Sequence, residues 1–166
     1  MWPRSHGGPT FVDDSFAGLS LMLAGDAANR THRCELLRPE ALDYSLDSLK
    51  HVDAYLDVLH RTPPPQTESL QVVLRAGAYL SEVIRRARPG VFHWVLYEEA
   101  ARHAPKLRGL RESIGTAGIL WRDPESLLFP LGKVCKYLEN GAEDSLYTFG
   151  YVFVKEVIER AVPERR

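Results

Sequence analysis

The chain has 166 residues, 45% of them hydrophobic and 26% charged, and its 21 Lys and Arg against 22 Asp and Glu leave a formal net charge of -1. A length of this order suits one domain that buries roughly two-thirds of the surface its unfolded chain exposes, which excludes a mainly disordered protein. Near neutrality also argues against a broad nucleic-acid binder, whose affinity comes mostly from phosphate neutralisation, so nucleic acid is not an expected partner.

Cys34 and Cys135 are far apart in sequence and form no C-x-x-C pair. They read as reduced, packed thiols rather than a disulfide framework or a zinc knuckle. The apolar stretch Phe16 to Gly25 is too short to span a bilayer, and Asp13 and Asp14 stand where a signal peptide carries positive charge. The expectation is a cytoplasmic protein with no membrane partner.

In chain order, residues 1–10, with Pro3, Gly7, Gly8 and Pro9, lack periodicity and read as a loose tail, with His6 solvated; residues 11–166 are expected to form one globular domain. Phe11 to Met22 predicts a short amphipathic helix, followed by a polar loop from Gly25 to Arg33. Ser45 can cap a helix carrying Leu49, Val52, Leu56 and Leu59 at helical spacing. Pro63, Pro64 and Pro65 stop that helix and make a stiff connector. Thr67 can cap the next helix, running to about Arg88, with Leu70, Val73, Leu74, Gly77, Leu80, Ser81 and Ile84 on one face. Gly77 lies inside that apolar stripe, which predicts the close approach of another element.

Val91 to Ala104 favours a helix because Glu98-Glu99-Ala100-Ala101 is helix-prone, although Val91 to Tyr97 alone is rich in strand formers. Ile119-Leu120-Trp121, then Arg122-Asp123-Pro124-Glu125, then Leu127-Leu128-Phe129 predict a β-hairpin. Pro130 opens a helix with Leu131, Val134, Cys135 and Leu138 inward, closed by Asn140 and Gly141. Asp144 or Ser145 can cap a last segment that is apolar on nearly every side from Leu146 to Ile158. It reads as a helix by its Lys155-Glu156 and Glu159-Arg160 continuation, with a strand as the alternative. The sum is a mostly helical α+β domain of about five helices with a small antiparallel β-hairpin.

Chemistry-bearing motifs are sparse. His51 and His60 fall on roughly opposite helix faces, His93 and His103 are ten residues apart, and no G-x-S-x-G elbow or phosphate loop occurs. No metal, cofactor or catalytic residue is assigned. Arg75, Tyr79, Glu82 and Arg86 form a narrow helical stripe pointing away from the apolar face; it reads first as solvated and otherwise as a protein-binding hot spot. Around the last helix junction, Lys133, Lys136, Tyr137, Glu139, Asn140, Glu143, Asp144 and Ser145 read mostly as helix-end chemistry, which leaves Lys133, Lys136 and Glu139 free to face a ligand or partner. From Arg75 to Arg111 the chain leans basic and after Glu139 it leans acidic.

The runs Gly77-Ala78-Tyr79-Leu80-Ser81-Glu82-Val83-Ile84, Phe129-Pro130-Leu131-Gly132-Lys133-Val134 and Leu138-Glu139-Asn140-Gly141-Ala142-Glu143-Asp144-Ser145-Leu146, with Trp94 between them, resemble a group of small bacterial proteins of unknown function. The likeness spans about Leu42 to Ile158. It implies a compact α+β fold and marks Tyr79, Glu82, Lys133, Glu139, Asn140, Glu143 and Asp144 as signature residues without a catalytic role. Some members sit beside polymorphic-toxin or secretion-system genes, which implies an immunity protein whose partner is a cognate toxin. Two functions are therefore carried forward. One is a non-enzymatic protein-binding protein. The other is an enzyme or small-ligand binder in which Glu82 and Glu139 or Glu143 act beside Tyr79 and Lys133.

Overall fold

A computed structural model describes residues 10–25 and 28–161, with side chains as far as residue 155. The tail at 1–10, except Thr10, lies outside the described residues together with His6, as do the side chains of Val157 and Ile158. Among the described residues there are six helices and one antiparallel sheet: α1 (Phe11–Leu21), α2 (Ser48–Arg61), α3 (Gln66–Ala87), β1 (His93–Leu96), α4 (Tyr97–His103), β2 (Gly118–Asp123), β3 (Ser126–Leu128), α5 (Pro130–Asn140) and α6 (Leu146–Ala161). No described helix is long and apolar enough to cross a membrane.

Helix α3 is the axis around which the others assemble. From Val72 to Ile84 every residue except Leu74 is buried, and α1, α5 and α6 all pack on it. It begins at Gln66 with Pro65 as the N-cap residue, so Thr67 does not cap it as expected. A proline fits there because the first N–H groups of a helix have no intrahelical partner and φ is already close to helical. Gly77 faces Leu131 of α5, and a Cβ at this position would stand 2.6 Å from Leu131 Cδ2 and 3.1 Å from Leu131 Cα. The predicted close approach is therefore the crossing of α3 and α5.

The span Val91 to Ala104 is corrected from one helix to a strand followed by a helix. β1 pairs with β2, Trp94 opposite Leu120 and Val95 opposite Ile119, and β2 continues into the expected hairpin with β3. The pairing strand lies more than twenty residues away, so local propensity cannot see it. Helix α4 starts only at Tyr97, where Glu98 and Glu99 fall in the first turn and suit the positive end of the dipole. The sheet is buried on both faces. Trp94, Leu120 and Leu128 join the main core with α3, whereas Val95, Ile119 and Trp121 pack with Ala100, Ala104 and Leu107 beneath α4. That double burial explains why these strands are apolar without alternation.

The last segment is helical. Ser45 closes the turn before α2 by accepting from Ser48 N at 3.2 Å, although the helix itself begins at Ser48. Ser145 acts similarly at α6, accepting from Thr148 N at 3.1 Å. A second cap comes from another helix: Asp53 of α2 accepts from Leu146 N at 2.8 Å, Tyr147 N at 3.2 Å and Ser145 Oγ at 2.6 Å. Burial pushes the Asp53 carboxyl up in spite of these donors. Between α5 and α6, Gly141 takes φ +84° against the ring of His60, whose Nδ1 lies 2.9 Å from Leu138 O.

Candidate functional site

The Arg75–Tyr79–Glu82–Arg86 stripe does not face solvent. Arg75, Tyr79 and Glu82 are buried, and only Arg86 is exposed. Arg75 donates to Asn29 O at 3.0 Å and Thr31 Oγ1 at 2.8 Å, fixing the loop that follows α1. Tyr79 donates to Ser48 Oγ at 2.7 Å and accepts from Tyr44 N at 3.0 Å, and its ring stacks on that of Tyr44. Burial raises the Tyr79 hydroxyl pKa. Arg86 also lies over the Tyr44 ring, its guanidinium carbon 3.5 Å from the centroid. The stripe is thus a set of clasps for residues 13–48, the part of the chain that lies largely outside the resemblance.

Glu82 belongs to a buried charge cluster. Its carboxylate meets Arg85 at 2.5 Å, and Arg85 also lies 3.2 Å from Asp13, the fully buried third residue of α1. Asp13 accepts from Trp94 N at 2.7 Å and Thr10 N at 3.0 Å, and stands 3.1 Å from His93 Nδ1. Burial opposes charge on Asp13. The hydrogen bonds from Trp94, Thr10 and His93, with the positive Arg85, outweigh burial and hold the carboxyl below its ordinary range. In sequence, the one sign of this burial is that Ala76, Ala78 and Val83 extend apolar surface to both sides of the polar stripe.

The second group is brought together only in part. Lys133 Nζ lies 2.6 Å from Asp144 Oδ1 and Asn140 Nδ2 lies 2.8 Å from Oδ2, which closes the α5–α6 junction. These two donors hold Asp144 below its ordinary value. Lys133 is therefore paired rather than free, a correction to its expected role. Tyr137 is buried, which pushes its hydroxyl up to about 12. Lys136, Glu139 and Glu143 are exposed. Among the described residues no hydrogen bond or ion pair joins Tyr79 or Glu82 to Lys133, Glu139 or Glu143. The basic middle of the sequence is not one surface either, because Arg75 and Arg85 are spent inside the fold.

What the junction does border is a groove of about 520 Å³ between α5, α6, the β2–β3 hairpin and the loop at 110–116. Leu127, Leu128 and Phe129 form one wall, Phe149 and Phe153 of α6 the other, and Lys133 and Lys136 supply the charge. A smaller hollow of about 320 Å³ is lined by Leu70, Val73, Cys135, Leu138 and Glu139. Cys135 lines both. Burial, reinforced by the charge of Glu139, pushes its thiol up, so it is no activated nucleophile. The groove holds no paired acid and base, and among the described residues no three His, Cys, Asp or Glu are grouped to hold a metal. Phe129, Phe149 and Phe153 are the lining residues that periodicity alone assigns to strand or core. Their signal is an excess of apolar side chains over what a three-residue strand and a half-covered helix bury.

No protein-family model, no curated protein sequence and no solved structure matches this chain.

Proposed function

We propose that the chain is a non-enzymatic protein-binding protein that takes an apolar, acid-flanked segment of a partner into the groove between α5, α6 and the hairpin. The observation that carries this reading is the groove itself: an aromatic and aliphatic trough edged by Lys133 and Lys136. Concave apolar sites with a few polar groups at the rim are where binding energy concentrates. In its specific form the partner is a cognate toxin and the chain a bacterial immunity protein in the cytoplasm, as the signature runs imply. An enzyme using Tyr79, Glu82, Lys133 and Glu139 or Glu143 is the weaker reading, because Tyr79 and Glu82 are engaged in holding residues 13–48 on α3.

The test is copurification of the full chain with the product of the neighbouring gene in the native host, followed by thiol alkylation of the complex. A stoichiometric partner that slows alkylation of half-buried Cys135, and is lost from a Leu127→Glu variant with an unchanged circular dichroism spectrum, is the expected result. A lone, inert monomer, or a complex in which Cys135 reacts as fast as in the free chain, overturns the reading.

A further inference from the structure

We propose that the same groove binds a free amphiphile with a single long alkyl chain and a monoanionic headgroup, of the fatty-carboxylate class. This goes beyond the protein-binding reading and does not depend on it. Three observations carry it. The volume, about 520 Å³, lies within the range of about 300–1,000 Å³ typical of small-molecule sites. The walls are Leu127, Phe129, Phe149 and Phe153, which offer an alkyl chain continuous, non-directional contact and few hydrogen-bonding groups to a polar body. The hydroxyl of Thr116, one of the few polar groups there, is already turned to Arg111 O and Ser113 O.

The charge at the rim then selects the headgroup. Lys133 is neutralised by Asp144 at 2.6 Å, whereas Lys136 is exposed and has no ion pair among the described residues. Asp144 also feels the charge of Lys136, so two lysines share one carboxylate and a single net positive charge borders an apolar trough with no acidic side chain in its lining. A lone ammonium acts as a point charge that suits one carboxylate, rather than the several donors a phosphodianion recruits.

Isothermal titration of the full chain with dodecanoate and with dodecyltrimethylammonium, below their micelle concentrations and at neutral pH, tests this. Dodecanoate should saturate at one equivalent, bind roughly five-fold or more tightly than the cation, and slow alkylation of Cys135. Lys136→Glu, a surface change that leaves the core intact, should abolish or invert that preference. Equal affinity for both amphiphiles, no saturation, or binding that leaves Cys135 alkylation unchanged overturns the proposal. Failure of dodecanoate with a protein partner still protecting Cys135 removes this inference alone. Dodecanoate binding in a chain that captures no partner leaves it standing and removes the protein-binding reading.

Discussion

Replacing Gly77 by Ala sets two effects of opposite sign against each other. Ala is favoured over Gly in a helix interior by about 0.8–1 kcal/mol, so on propensity alone the variant is stabilised. Against that, the new Cβ would stand 2.6 Å from Leu131 Cδ2, 3.1 Å from Leu131 Cα and 3.2 Å from Leu131 N. The methyl group of Leu131 can rotate away, but its backbone cannot, and Leu131 is fully buried. Helix α5 has to move by a few tenths of an ångström while Lys133 and Asn140 tie it to Asp144. Forcing a methylene into a filled contact costs about 1–3 kcal/mol, and because backbone atoms of Leu131 are met the upper part of that range, about 2–3 kcal/mol, applies; less the propensity gain, the net expectation is a destabilisation of about 1–2 kcal/mol. The assay is urea unfolding of the wild type, Gly77→Ala and Ala54→Gly, the last an exposed site in α2 that reports the propensity term by itself. Adding Leu131→Ala to Gly77→Ala should cost less than the sum of the two single changes, because the overlap is then relieved. A Gly77→Ala chain as stable as the wild type, or more so, refutes the argument that the helix crossing requires glycine.

Two further outcomes follow from the buried polar residues. Asp13→Asn should lower stability by about 2–3 kcal/mol at neutral pH, somewhat below the ~3–5 kcal/mol of a fully orphaned buried ion because Glu82 still meets Arg85. Since the folded Asp13 carboxyl lies below its unfolded value of about 3.9, its contribution is complete above that pH and fades as the pH falls through the folded value; acid unfolding curves of the two proteins should converge there, and parallel curves would contradict the assignment. Tyr79→Phe should cost about 1–3 kcal/mol by leaving Tyr44 N and Ser48 Oγ without the hydroxyl, as read by thermal unfolding, yet leave partner binding unchanged. Loss of binding without loss of stability would instead restore Tyr79 as a contact residue.

The sequence by itself determined the mostly helical α+β class, the hairpin at 118–128, the helices around Leu49–Leu59, Leu70–Ile84 and Leu131–Leu138, and the close contact at Gly77. All of these are local: they follow from hydrophobic period, proline and glycine punctuation and short-range turn chemistry, which act over a few residues of chain. The tertiary structure alone decided that His93–Leu96 is a strand, because its hydrogen-bond partner is Gly118–Trp121. It also decided the fate of the polar stripe on α3. Helical spacing places Arg75, Tyr79, Glu82 and Arg86 on one face, but only the arrival of α1 and residues 29–48 turns that face into an interior of clasps. The groove was out of reach for the same reason. Its walls, Leu127–Phe129 and Phe149 with Phe153, come from two elements separated by a whole helix, and a space between elements has no signature in the sequence of either.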